Sequence, residues 1–114
     1  MDTPDWVTNQ PQWQQDCADI VRCSKALVNG RYGVIEAARL LWKLSYRVQA
    51  EWDPDFVTFR GIYSESDAFP VGPERQNWAT EALKREDAKI ASFEAHWRPK
   101  AIAAAANLAK KYSP

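Results

Sequence analysis

DPDFVTFRGIYSESDAFPVG, residues Asp53–Gly72, decides how the rest of the chain is read. It stands between segments of clear helical character, yet it reads without helical periodicity and without the low complexity of a linker. Trp52, Phe56, Phe59, Ile62, Tyr63, Phe69 and Val71 are too many large apolar groups to leave in water, since full burial of each is worth about 1.5–3 kcal/mol. Asp53 with Pro54, Gly61, Ser64 to Asp67, and Pro70 with Gly72 and Pro73 are turn formers. The expectation is an ordered excursion over 51–78 that bends several times, packs on helices through Phe56, Phe59 and Ile62, and holds a 3₁₀ turn near Asp55 to Phe59. A strand over Val57 to Ile62 is the alternative; it needs a partner strand that the sequence does not offer.

Before this stretch, Pro11 fits a first helical turn, and Trp13, Cys17, Ile20, Val21, Leu27 and Val28 follow on one helical face until Asn29 and Gly30 close it. From Val34 to about Ala50 a second helix lines up Ile35, Ala38, Leu41, Trp42, Ser45 and Val48. The short connection makes these two helices antiparallel neighbours. After the stretch, a third helix capped by Thr80 carries Leu83, Ile90, Phe93 and Trp97 to its end near Trp97. Pro99 predicts a kink or break, beyond which AIAAAANLAKKY resumes as a fourth, short helix. The fold class expected is all-α: one helical domain, 1–114, a small bundle of three long helices, the third kinked at Pro99 into the fourth, with a long ordered loop. Ile20, Leu27, Ile35, Leu41, Trp42, Leu83, Ile90, Phe93, Trp97 and Trp13 form the expected core.

A chain of 114 residues is the size of one domain. Its formal net charge of zero argues against binding that rests on excess positive charge, as for nucleic acid. MDTPDWVTNQPQW has neither a basic n-region nor an apolar h-region, and no downstream stretch is long and apolar enough for a bilayer, so a cytoplasmic protein without membrane association is expected. Cys17 and Cys23 lie about 9 Å apart along one helix, too far for a disulfide.

Signatures of chemistry are sparse. The single His96 stands in no metal-ligand pattern, Ser64 follows no nucleophile elbow, and the carboxylates of the stretch lack the register of a calcium loop. No catalytic, cofactor or metal residue is assigned, and no cofactor is expected. Trp13, Trp42 and Trp97 fit the core, whereas Trp6 is either a staple for the N-terminal arm or an exposed anchor.

Zero net charge conceals polarity. Glu51, Asp53, Asp55, Glu65, Asp67 and Glu74 face a single Arg60 within 51–74, while seven basic and three acidic residues follow from Lys84 onward. Arg75, or the ridge Arg39, Lys43 and Arg47, is expected to hold some of these carboxylates. Outward carboxylates of the stretch predict a negative patch for a basic partner, with Trp52, Asp53, Tyr63, Glu65, Asp67 and Glu74 as its residues.

GVIEAARLL (33–41), the stretch 53–72 with its sequel PERQNW (73–78), and ALKREDAKI (82–90) resemble a group of small bacterial proteins of unassigned function. The series is Gly33, Glu36, Asp53, Asp55, Phe56, Ser64, Glu65, Asp67, Pro70, Gly72, Arg75 and Trp78, over about half the chain. The resemblance implies a bacterial source and a cytosolic accessory role of the immunity-protein kind, and no catalytic residues. The expected function is that of a non-enzymatic interaction protein, an immunity-type inhibitor or adaptor for a basic, toxin-like protein. The alternative is a small enzyme or ligand-binding domain using the carboxylate-rich loop, and the Ala-rich terminal segment leaves homo-oligomer formation open.

Overall fold

A computed structural model describes residues 2–114. Four helices form it: α1 (Gln10–Val28), α2 (Val34–Arg47), α3 (Pro54–Ser66) and α4 (Thr80–Tyr112), with one 3₁₀ turn, Pro73–Asn77, in the connection between α3 and α4. The all-α class is as expected, and no strand occurs among the described residues.

Local signals set most of the ends. Asn9 caps α1 by accepting from the Gln12 backbone N–H at 3.1 Å, with Pro11 in the first turn. At the other end Gly30 adopts φ +80, so that its N–H donates to Leu27 O and that of Arg31 to Ala26 O, the paired bonds of a Schellman motif. The same paired bonds close α2, from Gln49 to Tyr46 O and from Ala50 to Ser45 O. Here a glutamine at φ 52 occupies the left-handed position, a conformation that costs a residue with a Cβ about 1–2 kcal/mol.

The start of α2 is completed from elsewhere in the chain. Gly33 has no side chain to cap it, and Glu94 of α4 supplies the carboxylate instead, with Oε2 accepting from the backbone N–H of Val34 and, at 3.2 Å, of Ile35. A Cβ at Gly33 would stand 2.8 Å from that oxygen, so the glycine makes room for the cap.

The stretch 53–72 is mainly helix. Asp53 caps α3 by accepting from the Asp55 N–H at 2.9 Å, Pro54 occupies the first turn, and Phe56, Phe59, Ile62 and Ser66 recur on the buried face. The ordered packing through Phe56, Phe59 and Ile62 is therefore present, carried by a helix rather than a bent loop. The 3₁₀ turn lies at Pro73–Asn77, not near Asp55 to Phe59.

Each helix runs antiparallel to its neighbours. Arg47 meets Asp16 across α2 and α1, Arg60 sits over Trp42 across α3 and α2, and Lys111 meets Asp53 while Trp97 meets Glu65 across α4 and α3. Around the bundle the order is α1, α2, α3, α4, with α1 and α4 in contact and α2 and α4 on the diagonal.

The last helix departs from expectation twice. It begins at Thr80 with Ala79 as its cap residue and no side-chain cap bond, and it continues through Pro99 to Tyr112 as one helix. Pro99 removes one backbone donor, but Pro99 and Ala95 are both exposed, so water can hydrate the carbonyl left unpaired. At 1.5 Å per residue such a helix is about 50 Å long, which accounts for the molecule's 52 Å long axis.

Of the expected core, Trp13, Ile20, Leu27, Ile35 and Leu41 are buried, whereas Trp42, Leu83, Ile90, Phe93 and Trp97 are only half-buried. Trp42 lies at the rim between α2 and α3. Phe93 and Trp97 pack on the core from its edge, Trp97 beside Gly61 and Glu65 of α3, and Leu83 and Ile90 lie farther toward the start of α4.

Candidate partner-binding surface

Once 53–66 is a helix antiparallel to α4, its first turn falls beside the C-terminal end of α4. Lys111 forms an ion pair with Asp53 and lies 3.8 Å from Asp55, and the Asn107 amide donates to Asp55 at 3.2 Å. The expected tether from Arg75 or the α2 ridge is thus made mainly by other residues. Arg75 grips Asp87 of α4 through two bonds, 2.7 and 3.0 Å, and donates to Pro70 O. Arg47 is turned to Asp16 on α1 at 2.8 Å, and of the ridge only Arg39 reaches a carboxylate of the connection, Glu74 at 3.9 Å.

The six residues expected in one patch separate into two places. Asp53 is 3% exposed, held as both cap and ion-pair partner, so it is removed from any docking surface. Trp52 is 74% exposed, its indole N–H donating to Gln49 O at 3.2 Å. It stands just before the first turn of α3, about 20 Å along the helix axis from Glu65 and Asp67. The single patch expected from sequence is therefore divided by the length of α3.

At the other end Tyr63, Glu65 and Asp67 project from the last turn of α3 and are exposed. Glu65 accepts from the Trp97 indole at 3.2 Å, and Asp67 has no ion-pair partner among the described residues. Glu74, also exposed, folds back on its own turn. Its carboxylate is held below the usual range first by its own backbone N–H, then by those of Gly72 and Val71, with Arg39 adding to the effect. A Cβ at Gly72 would stand 2.6 Å from Glu74 Oε2 and would push this exposed carboxylate aside.

The last turn of α3 has an unusual charge pattern. It contains no basic residue, so Glu65 and Asp67 lie at the negative end of the helix dipole, where cations are favoured and anions are not. Sequence reasoning named these two residues but missed this reason for singling them out, because it read no helix here.

The tryptophans sort by the same geometry. Trp13 is buried, and Trp6 packs edge-on against it, ring centroids 5.4 Å apart, while keeping part of its surface exposed; it is both staple and exposed group. His96 is exposed beside Trp97. Cys17 and Cys23 are free, buried thiols, raised above their ordinary pKa chiefly by that burial.

Grooves open on the surface beside α1. One, of about 600 Å³, lies along α1 against Tyr112 and Pro114; another, of about 200 Å³, lies between Trp6, Asp16, Arg47 and Gln49. Neither is lined by residues 53–72. No group of three or more His, Cys, Asp and Glu side chains suited to a metal ion occurs among the described residues, and no helix is long and apolar enough to cross a membrane. Comparison with protein-family models, with curated proteins and with solved structures finds no match.

Several residues of the series quoted above have structural tasks: Gly33 admits the Glu94 cap, Asp53 caps α3, Phe56 is core, Pro70 is buried, and Arg75 locks the connection to α4. Glu36, Ser64, Asp67 and Trp78 remain exposed.

Proposed function

We propose that this chain is a non-enzymatic interaction protein, an inhibitor or adaptor of the immunity kind in a bacterial cytosol, and that it holds a basic, toxin-like protein partner at the C-terminal end of α3. One observation carries the reading: Glu65 and Asp67 crowd the negative end of a helix that offers them no cation in its last turn. A lysine or arginine from a partner relieves that repulsion, so binding supplies what the isolated fold lacks. Tyr63, 39% exposed in the same turn, adds an aromatic contact.

Rigidity favours the same surface. Behind it Phe59 and Ile62 are fully buried, and Arg75 fixes the connection that follows. The carboxylates are thus presented on a preorganised element, which lowers the entropy lost on docking.

The test is a charge reversal with two readouts. A partner is recovered by cross-linking from the source cells and purified, and its association is followed by stopped flow at low and high salt. In Glu65→Lys/Asp67→Lys the isolated protein keeps its stability or gains slightly, because cations now face the dipole, while association at low salt slows by about tenfold or more. An unchanged rate in the reversed variant ends this reading.

A further inference from the structure

We propose that the outer face of α2 and α3 is a second docking surface, built for an acidic amphipathic segment of a protein. The proposal stands on different residues from those above and does not depend on them.

The face is apolar and aromatic at its centre. Tyr46 is 57% exposed and Val57 41%, on adjacent helices, with Trp42 half-buried beside Tyr46. The Tyr46 ring stands edge-on to Trp42 at 4.9 Å, and the Arg60 guanidinium lies over the Trp42 ring at 5.8 Å. Spacing of three and four residues puts Arg39, Trp42, Lys43 and Tyr46 on neighbouring rows of α2, and Val57, Arg60 and Ser64 on one row of α3. Helices side by side with such rows present a ridged surface on which the apolar ridge of a third helix can pack.

Charge identifies the occupant. Lys43 and Arg60 make no ion pair among the described residues, and the one ion pair of Arg39 is with Glu74, at 3.9 Å. The α3 carboxylates are turned elsewhere, Asp55 toward Asn107 and Lys111 and Glu65 toward Trp97, and Glu36, exposed one turn before Arg39 on α2, forms no ion pair among the described residues. Uncompensated cations around an aromatic centre fit carboxylates flanking an apolar ridge. Nucleic acid fits less well. The chain as a whole carries no net positive charge, and two or three phosphate contacts are too few to carry affinity at physiological salt. Trp42 is already flanked by Arg60 and Tyr46, so it offers no bare ring to a base.

The probe is a fluorescein-labelled helical peptide of about fifteen residues, long enough to run beside α3, with leucine at three- and four-residue spacing and glutamate elsewhere; fluorescence anisotropy reads its binding. Saturable binding to the intact protein is expected, weakened about tenfold or more by Lys43→Glu/Arg60→Glu and by Tyr46→Ala. Circular dichroism checks that these surface variants keep the fold. Binding is expected to persist in Glu65→Lys/Asp67→Lys, which separates this surface from the α3 end. Any of four results overturns the proposal: no binding, equal binding of a lysine counterpart, undiminished binding by the double variant, or stronger binding of a single-stranded oligonucleotide. A stable dimer that protects Tyr46 in the absence of peptide assigns the face to a second copy instead, and also overturns it.

Discussion

The two halves of α4 are one helix under two regimes. From Ala101 to Tyr112 it lies inside the bundle, where Ala101, Ala104, Ala105 and Leu108 are buried, because small side chains let α1 and α3 come close. From Thr80 to Trp97 the larger Leu83, Ile90, Phe93 and Trp97 are only half-buried. This half is covered by the connection after α3, through the edge-on contact of Phe69 with Phe93 and the clamp of Arg75 on Asp87. The contrast teaches that burial here follows the number of layers around a residue rather than its hydrophobicity. Four helices enclose an alanine completely, while Phe93 under the strap and Trp97 at the edge of α3 stay partly wet.

That contrast breaks most visibly in the enclosed half. Phe59→Ala, at a fully buried position on α3, is expected to cost about 3–5 kcal/mol of global stability in denaturant unfolding. A loss well under that shows that the bundle collapses around the cavity and is less tightly enclosed than described.

Alkaline pH tests the same half with a smaller effect. The Tyr112 phenol is pushed up to about 12, first by burial and then by the Asp53 carboxylate and Cys17. In the fold it stays protonated where the unfolded chain has released its proton, so stability that is complete below about pH 10 declines as pH rises toward 12, by about 1.4 kcal/mol per unit. The raised thiols of Cys17 and Cys23 add to this alkaline loss. Tyr112→Phe, which cannot ionise, is expected to flatten the decline in pH-dependent thermal unfolding.

The smallest global effect is expected in the half held by the strap. Arg75→Ala leaves the unfolding midpoint nearly unchanged but accelerates amide exchange across 70–78, because the bonds lost are exposed and local. Arg75 holds the Asp87 carboxylate below its ordinary range, so the clamp is fully present above that range and is released only as pH falls further, through the lowered value. Equal exchange rates in variant and parent at neutral pH mean that the aromatic contact alone fixes the strap.

Much of the bundle was legible in the chain because its signals are local. Asn29 and Gly30 end α1 where expected, Val34 starts α2, and the buried stripe of α2 follows its apolar spacing. The helix α3 was not read, although Asp53 and Pro54 mark its start and Phe56, Phe59 and Ile62 recur at helical spacing. Val57 and Tyr63 on its outer side spread apolar residues around the axis, and Val57, Thr58 and Gly61 weaken helix propensity, so the pattern looked irregular. The same error merged Trp52 and Asp53 with Glu65 and Asp67 into one patch, since a loop can fold its ends together and a helix holds them apart.

By itself, then, the amino-acid order determined an all-helical chain, both ends of α1, the start of α2, and the demand that the aromatic groups of 53–72 find a core, because capping, spacing and apolar burial act over a few residues. Only the tertiary structure decided that Glu94 caps α2, that Lys111 draws Asp53 out of solvent, and that Pro99 leaves α4 in one piece. It also decided that Tyr46 and Arg60, from two helices, meet at Trp42. These depend on which helices lie side by side and in which direction they run, and electrostatic and packing partners some sixty residues apart in sequence meet only after that choice is made.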